Sequence, residues 1–158
     1  MPTKPTDRSP EITQSARRAG YVISIAINVA MLIVVQNVLA WGWPPFLTGE
    51  FAQVVPWISL SLLASILVNV VYQFEDSRVV KSAGQLGVNL ISIWVTYMML
   101  TVFPFDFSAY QFDWEIVARF VLVLAIIGSS IGALVEAIKL VSSLPPTPTS
   151  TGRNETLT

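Results

Sequence analysis

Residues 113–141 read DWEIVARFVLVLAIIGSSIGALVEAIKLV, and this run decides the fold. At about 1.5 Å of rise per residue it is long enough, as a helix, to cross a hydrocarbon core of about 30 Å. Its internal charges sit near the two ends, Arg119 at one and Glu136 at the other, with Lys139 just beyond. Between them lies a small, polar patch, Gly128-Ser129-Ser130-Ile131-Gly132-Ala133. Asp113 suits an N-cap, and Phe112 and Val117 have the spacing of a hydrophobic staple around it. The expectation is a transmembrane helix whose small face meets three partner helices.

Working outward, the rest of the chain repeats this pattern. Hydrophobic residues make up 53% of the 158 and charged residues 12%, outside the usual soluble range. Apolar runs at 19–40, 54–73 and 83–103 precede the run at 114–141, so the predicted fold is an all-α integral membrane four-helix bundle with antiparallel, up-down topology. The transmembrane domain covers 11–142. The flanks, 1–10 and 143–158, are rich in Pro, Thr and Ser and are expected to be disordered cytoplasmic tails. Ser9-Pro10-Glu11 has the form of a helix start. A signal peptide competes for the first span, with Arg17-Arg18 as its basic region and Val38-Leu39-Ala40 as its cleavage site. Its apolar region is longer than such peptides use, and further spans follow. Pro56 falls near the start of the second span, where proline costs least. Ser82 with Gln85 matches a capping box, which predicts the start of the third span.

Basic residues sort by loop. Lys4, Arg8, Arg17 and Arg18 precede the first span, Arg78 and Lys81 separate the second from the third, and Lys139 and Arg153 close the fourth. The other two loops hold neither Lys nor Arg and carry Glu50, Asp106 and Asp113. The positive-inside rule then places both termini in the cytoplasm of a cell with the inner (cell) membrane as its site. On that topology the Asn154-Glu155-Thr156 sequon is a chance match. The outer loops gather the aromatics, Trp41, Trp43, Phe46, Phe105, Phe107 and Tyr110 among them, and are expected to lie in the interface as a lid.

The sequence contains no cysteine and no histidine. That excludes disulfides, thiolate chemistry, imidazole metal sites and bis-histidine haem, so no cofactor and no metal are expected. No basic, aromatic-interleaved surface suits a nucleic acid. The expected partner is the lipid bilayer, with Gly128 and Gly132 as a GxxxG surface for packing or homo-oligomers.

Polar residues inside the spans fall on single helix faces: Ser24, Asn28 and Gln36; Ser61, Ser65, Asn69 and Gln73; Gln85, Asn89, Ser92 and Thr96. Lipid cannot satisfy them, so they are expected to turn inward. Asn28, Asn69, Asn89 and Glu136 fall at one depth, as a candidate intramembrane polar layer bonded between helices. That layer either glues the bundle or lines a hydrated ion path. Glu136 has Lys139 at i+3 for an ion pair, or else turns inward toward the amides. Arg119 has Glu115 at the favoured helical spacing. With Asp106 they form a candidate outer clamp holding the loop onto the bundle, or a site for an external anion.

The pattern VFPFDF at 102–107, ahead of a span that opens with Trp and an early Arg, resembles small, uncharacterised bacterial four-span membrane proteins. That resemblance implies fold and location, without catalytic residues. The expected function is a non-catalytic structural or accessory membrane subunit; the alternative is a small oligomeric transporter or channel subunit using the polar layer and Glu136. An enzyme ranks third, since no acid–base pair or nucleophile can be assembled.

Overall fold

A computed structural model describes residues 9–75 and 77–143. The sequon at Asn154 and most of both predicted tails lie outside them. Four helices account for nearly all the rest: α1 Ser9–Trp41, α2 Val55–Phe74, α3 Arg78–Val102 and α4 Trp114–Ser142. Each contains a segment long and apolar enough to cross a membrane, α1 over Ser15–Trp41 and the others along their whole lengths.

The helix ends follow local chemistry. Pro56 lies in the first turn of α2, where its missing N–H is no loss. Asp113 caps α4 as expected, its carboxylate accepting from the Ile116 amide at 3.4 Å. The start of α3 corrects the sequence expectation. Ser77 caps it, accepting from Val80 N–H at 3.3 Å, and Ser82 lies a turn inside the helix and is buried. Hydropathy misplaced this end because the helix continues past the apolar run, where Arg78 and Lys81 are solvated without breaking it. At the other end of α3, Pro104 disfavours right-handed helical backbone at Phe103. Phe103 turns instead into the left-handed region, at φ 43° and ψ 66°.

Packing follows chain order. α1 lies against α2, α2 against α3, and α3 against α4; among the described residues no close backbone approach joins α4 to α1 or α2. The expectation that α4 meets three partners is therefore corrected: it packs on α3. Gly132 admits the Asn89 side chain of α3, whose amide nitrogen would lie 2.9 Å from a Cβ there, whereas Gly128 has nothing within 4 Å. The bundle is open, and the physical reason is the solvent. Lipid tails are as apolar as Leu or Ile side chains, so nothing drives α4 to fold back and cover faces such as Ile127, Ile131 and Leu134.

The buried apolar cluster lies at the end of the helices where α1 leads into α2, around a 3₁₀ turn at Gly49–Gln53. Phe51 and Val54 insert against Val35 and Val38 of α1, with Met98, Met99 and Val102 of α3 around them. The α1–α2 and α3–α4 connections pair through backbone: Leu47 bridges Phe105 antiparallel, Thr48 N–H donates to Pro104 O at 3.0 Å, and Asp106 N–H to Phe46 O at 2.8 Å. The rings of Phe46, Phe105, Phe107 and Tyr110 run side by side over this seam, with centroids 5.3–6.3 Å apart.

Thr48 precedes the 3₁₀ turn, but its hydroxyl caps nothing and is buried with no hydrogen-bond partner among the described residues. An unpaired buried hydroxyl carries a desolvation cost that an isosteric methyl group does not. Thr48→Val is expected to stabilise the chain by about 1 kcal/mol. Equilibrium unfolding in mixed detergent micelles measures this, and a loss of stability would show that the hydroxyl has a partner.

Candidate functional site

The polar stripes lie on the helix faces the sequence indicated, but their bonds mostly close locally. The Asn28 amide donates to Ser24 O and the Asn69 amide to Ser65 O, both at 2.8 Å and both one turn back on their own helices. Asn89 accepts from Gln85 at 3.5 Å, again within its helix. Among the described residues no hydrogen bond joins Asn28, Asn69, Asn89 and Glu136 to one another, so an inter-helix amide layer does not form. The reason is proximity. The carbonyl at i−4 is always within reach of an Asn on a helix, and reaching it needs no particular rotation of a neighbour. Two stripe residues do bond across helices: Gln36 of α1 donates to the Ser59 hydroxyl of α2 at 3.0 Å, and Gln73 of α2 donates to Arg18 O of α1 at 3.1 Å. Ser59 is buried.

Glu136 belongs to a different constellation, at the end of the bundle where α2 gives way to α3 and all four helices contribute. Its carboxylate accepts from Lys139 at 2.7 Å and lies against the Ser82 hydroxyl of α3. The Glu136 side chain is 16% exposed and that of Lys139 57%. Tyr72 of α2 reaches over to α3, donating its hydroxyl to Lys81 O at 2.8 Å. Gly84 makes room for it: a Cβ there would lie 2.7 Å from the Tyr72 hydroxyl. Tyr21 of α1 stacks at 5.5 Å on Tyr72, and Lys81 Nζ lies 5.8 Å from the Tyr21 ring centroid. These groups, with Arg78, line a cavity of about 740 Å³. The sequence offered one signal for it, the isolated tyrosines at an otherwise ring-poor inner end.

At the opposite end, near the paired connections, Arg119 pairs with Glu115 at 3.0 Å, as the spacing predicted. The second half of the predicted clamp is corrected. Asp106 does not take the guanidinium. Its carboxylate instead accepts from the Ser108 amide at 2.9 Å and the Ser108 hydroxyl, which hold it below the usual carboxylate range. Arg119 is stacked on the Phe103 ring, 3.9 Å from its centroid. An exposed helical ion pair contributes about 0.3–0.5 kcal/mol, less than a cation–π contact partly shielded from water. The loop is thus held by a ring, through the one described residue other than glycine whose backbone is left-handed. A double-mutant cycle between Arg119→Gln and Phe103→Leu should return a coupling of about 1 kcal/mol. The same cycle between Arg119→Gln and Asp106→Asn should return close to zero, and the reverse order would reinstate the acidic clamp.

Beside the seam, Phe105, Phe107, Tyr110 and Trp114 meet Val117 and Val121 around a second, nearly wholly apolar cavity of about 550 Å³.

No family model matches this chain, and no curated protein or solved structure is significantly similar to it. The class rests on the fold: four apolar helices of spanning length define a multi-pass membrane protein.

Proposed function

We propose that the protein is a non-catalytic structural or accessory subunit of a bacterial inner membrane, with both termini cytoplasmic. The observation that carries this reading is the open packing order. Among the described residues the helix backbones approach closely only between chain neighbours, which leaves the bundle open, and the Asn28 and Asn69 amides bond to their own backbones. The exposed apolar faces of α1 and α4 suit lipid or a partner's spans, and Gly128, with open space before it, suits a second copy.

The runner-up, a small oligomeric transporter or channel subunit, has the inner cavity and Glu136 in its favour. Vesicles reconstituted with the purified chain separate the two. The accessory reading expects no proton or cation leak above empty vesicles, and none removed by Glu136→Gln; a leak that this substitution abolishes establishes the transporter. Single cysteines at Phe105 and Arg78 should label from opposite sides of the bilayer, and labelling from one side would overturn the topology.

A further inference from the structure

We infer that the inner cavity binds a phosphate-bearing anion, gripped by Arg78, Lys81 and Lys139. Among the described residues that line this space, three cations from two helices stand against one carboxylate, Glu136. The chemistry fits phosphate better than a simple carboxylate. Arg78 offers a planar fork, Lys81 and Lys139 add ammonium charges beside it, the latter shared with Glu136, and a tetrahedral oxyanion presents an oxygen to each. Lys81 and Arg78 stand in the first turn of α3, where the helix dipole adds positive potential. Arg78 makes no hydrogen bond or ion pair among the described residues, so its guanidinium is available without breaking anything.

The level of the cavity adds a second argument. It opens where α2 ends at Phe74 and α3 begins at Arg78, the depth at which headgroup phosphates lie. Tyr21 and Tyr72 form one wall and Ile138 another, so a ligand with an apolar portion could rest its phosphate on the cations and its stem along the rings. Anionic lipid headgroups and free phosphate share the recognised group, and the test distinguishes them.

The intact chain is purified in neutral detergent and offered phosphatidylglycerol or phosphatidylcholine in mixed micelles, with retained lipid counted by native mass spectrometry. A parallel titration uses inorganic phosphate alone. Phosphatidylglycerol is expected to be retained over phosphatidylcholine, and each cation removed should weaken it roughly fivefold. Arg78→Gln should therefore act once, and Arg78→Gln with Lys81→Gln roughly twentyfivefold. Glu136→Gln should act in the opposite sense and tighten binding, because it removes a repelling charge from the lining. If inorganic phosphate binds with the same order among variants, the source is the free anion. The site is overturned if neither ligand responds to Arg78→Gln, or if Arg119→Gln at the far end has the same effect. Should the double variant lose its helical circular dichroism, the exposed Arg78→Gln alone decides.

Discussion

Gly84→Leu is expected to loosen the α1–α2 hairpin from the α3–α4 hairpin near the step from α2 to α3. Among the described residues the close helix–helix approach between these halves is α2 on α3, and Gly84 lies in it. A Cβ at this position would lie 2.7 Å from the Tyr72 hydroxyl and 2.8 Å from Val68 Cγ1. Neither neighbour can give way cheaply. Tyr72 is held by its bond to Lys81 O and its stacking on Tyr21, and Val68 is β-branched with restricted rotamers. A leucine adds three further carbons to that collision, so the loss should be about 3 kcal/mol, at the upper end for overpacking. Gly87→Leu is the control, because nothing lies within 4 Å of a Cβ there. Unfolding in mixed micelles should rank Gly84→Leu far below Gly87→Leu, and equal losses would mean that α2 and α3 do not meet at Gly84.

Val54→Asp should be comparably damaging at the opposite end. Val54 has no exposed surface, and its neighbours Val35, Val38 and Phe51 offer a carboxylate no donor. An unpaired charge in such a site costs on the order of 3–5 kcal/mol, unless it is neutralised by taking up a proton. Burial raises the folded-state pKa of the new carboxyl above its unfolded value. The proton is then bound more tightly in the folded state, so the deficit is smallest at acid pH and grows as pH rises through the unfolded and then the folded pKa. A stability loss independent of pH would point to shape alone. Val54→Ala isolates that part, expected at about 2 kcal/mol.

How much of this was legible in the chain depends on the range of the interaction. The spans were readable because apolar length is a property of consecutive residues, and so were Asp113 as a cap and Arg119 with Glu115, which need only helical spacing. Ser82 was misread as a cap because two serines, Ser77 and Ser82, stand near the boundary, and hydropathy cannot say how far a helix extends beyond the apolar run. The amide layer failed for a different reason. Depth in the membrane could be estimated for Asn28, Asn69 and Asn89, but each amide's choice between its own i−4 carbonyl and a neighbouring helix depends on how the helices are rotated. Arg119 shows the same gap at short range. Charge nominated Asp106, whereas the left-handed turn at Phe103, just ahead of Pro104, brought a ring under the guanidinium first. The inner cavity needs α1, α2, α3 and α4 in register at once, and no stretch of sequence carries that.

The pairing of the two outer connections has a mechanical consequence. Leu47 and Phe105 stitch the hairpins together at one end of the helices, while at the other end the chain itself joins them in the short step from Phe74 to Arg78, with the Tyr72 bond to Lys81 O across it. The two halves are thus tied at both ends of some 30 Å of helix, by backbone pairing at one and by the covalent chain at the other. Rocking of one half on the other is restrained at both, so the molecule is a laced frame, and α1 and α4 are the members free to splay at its flanks.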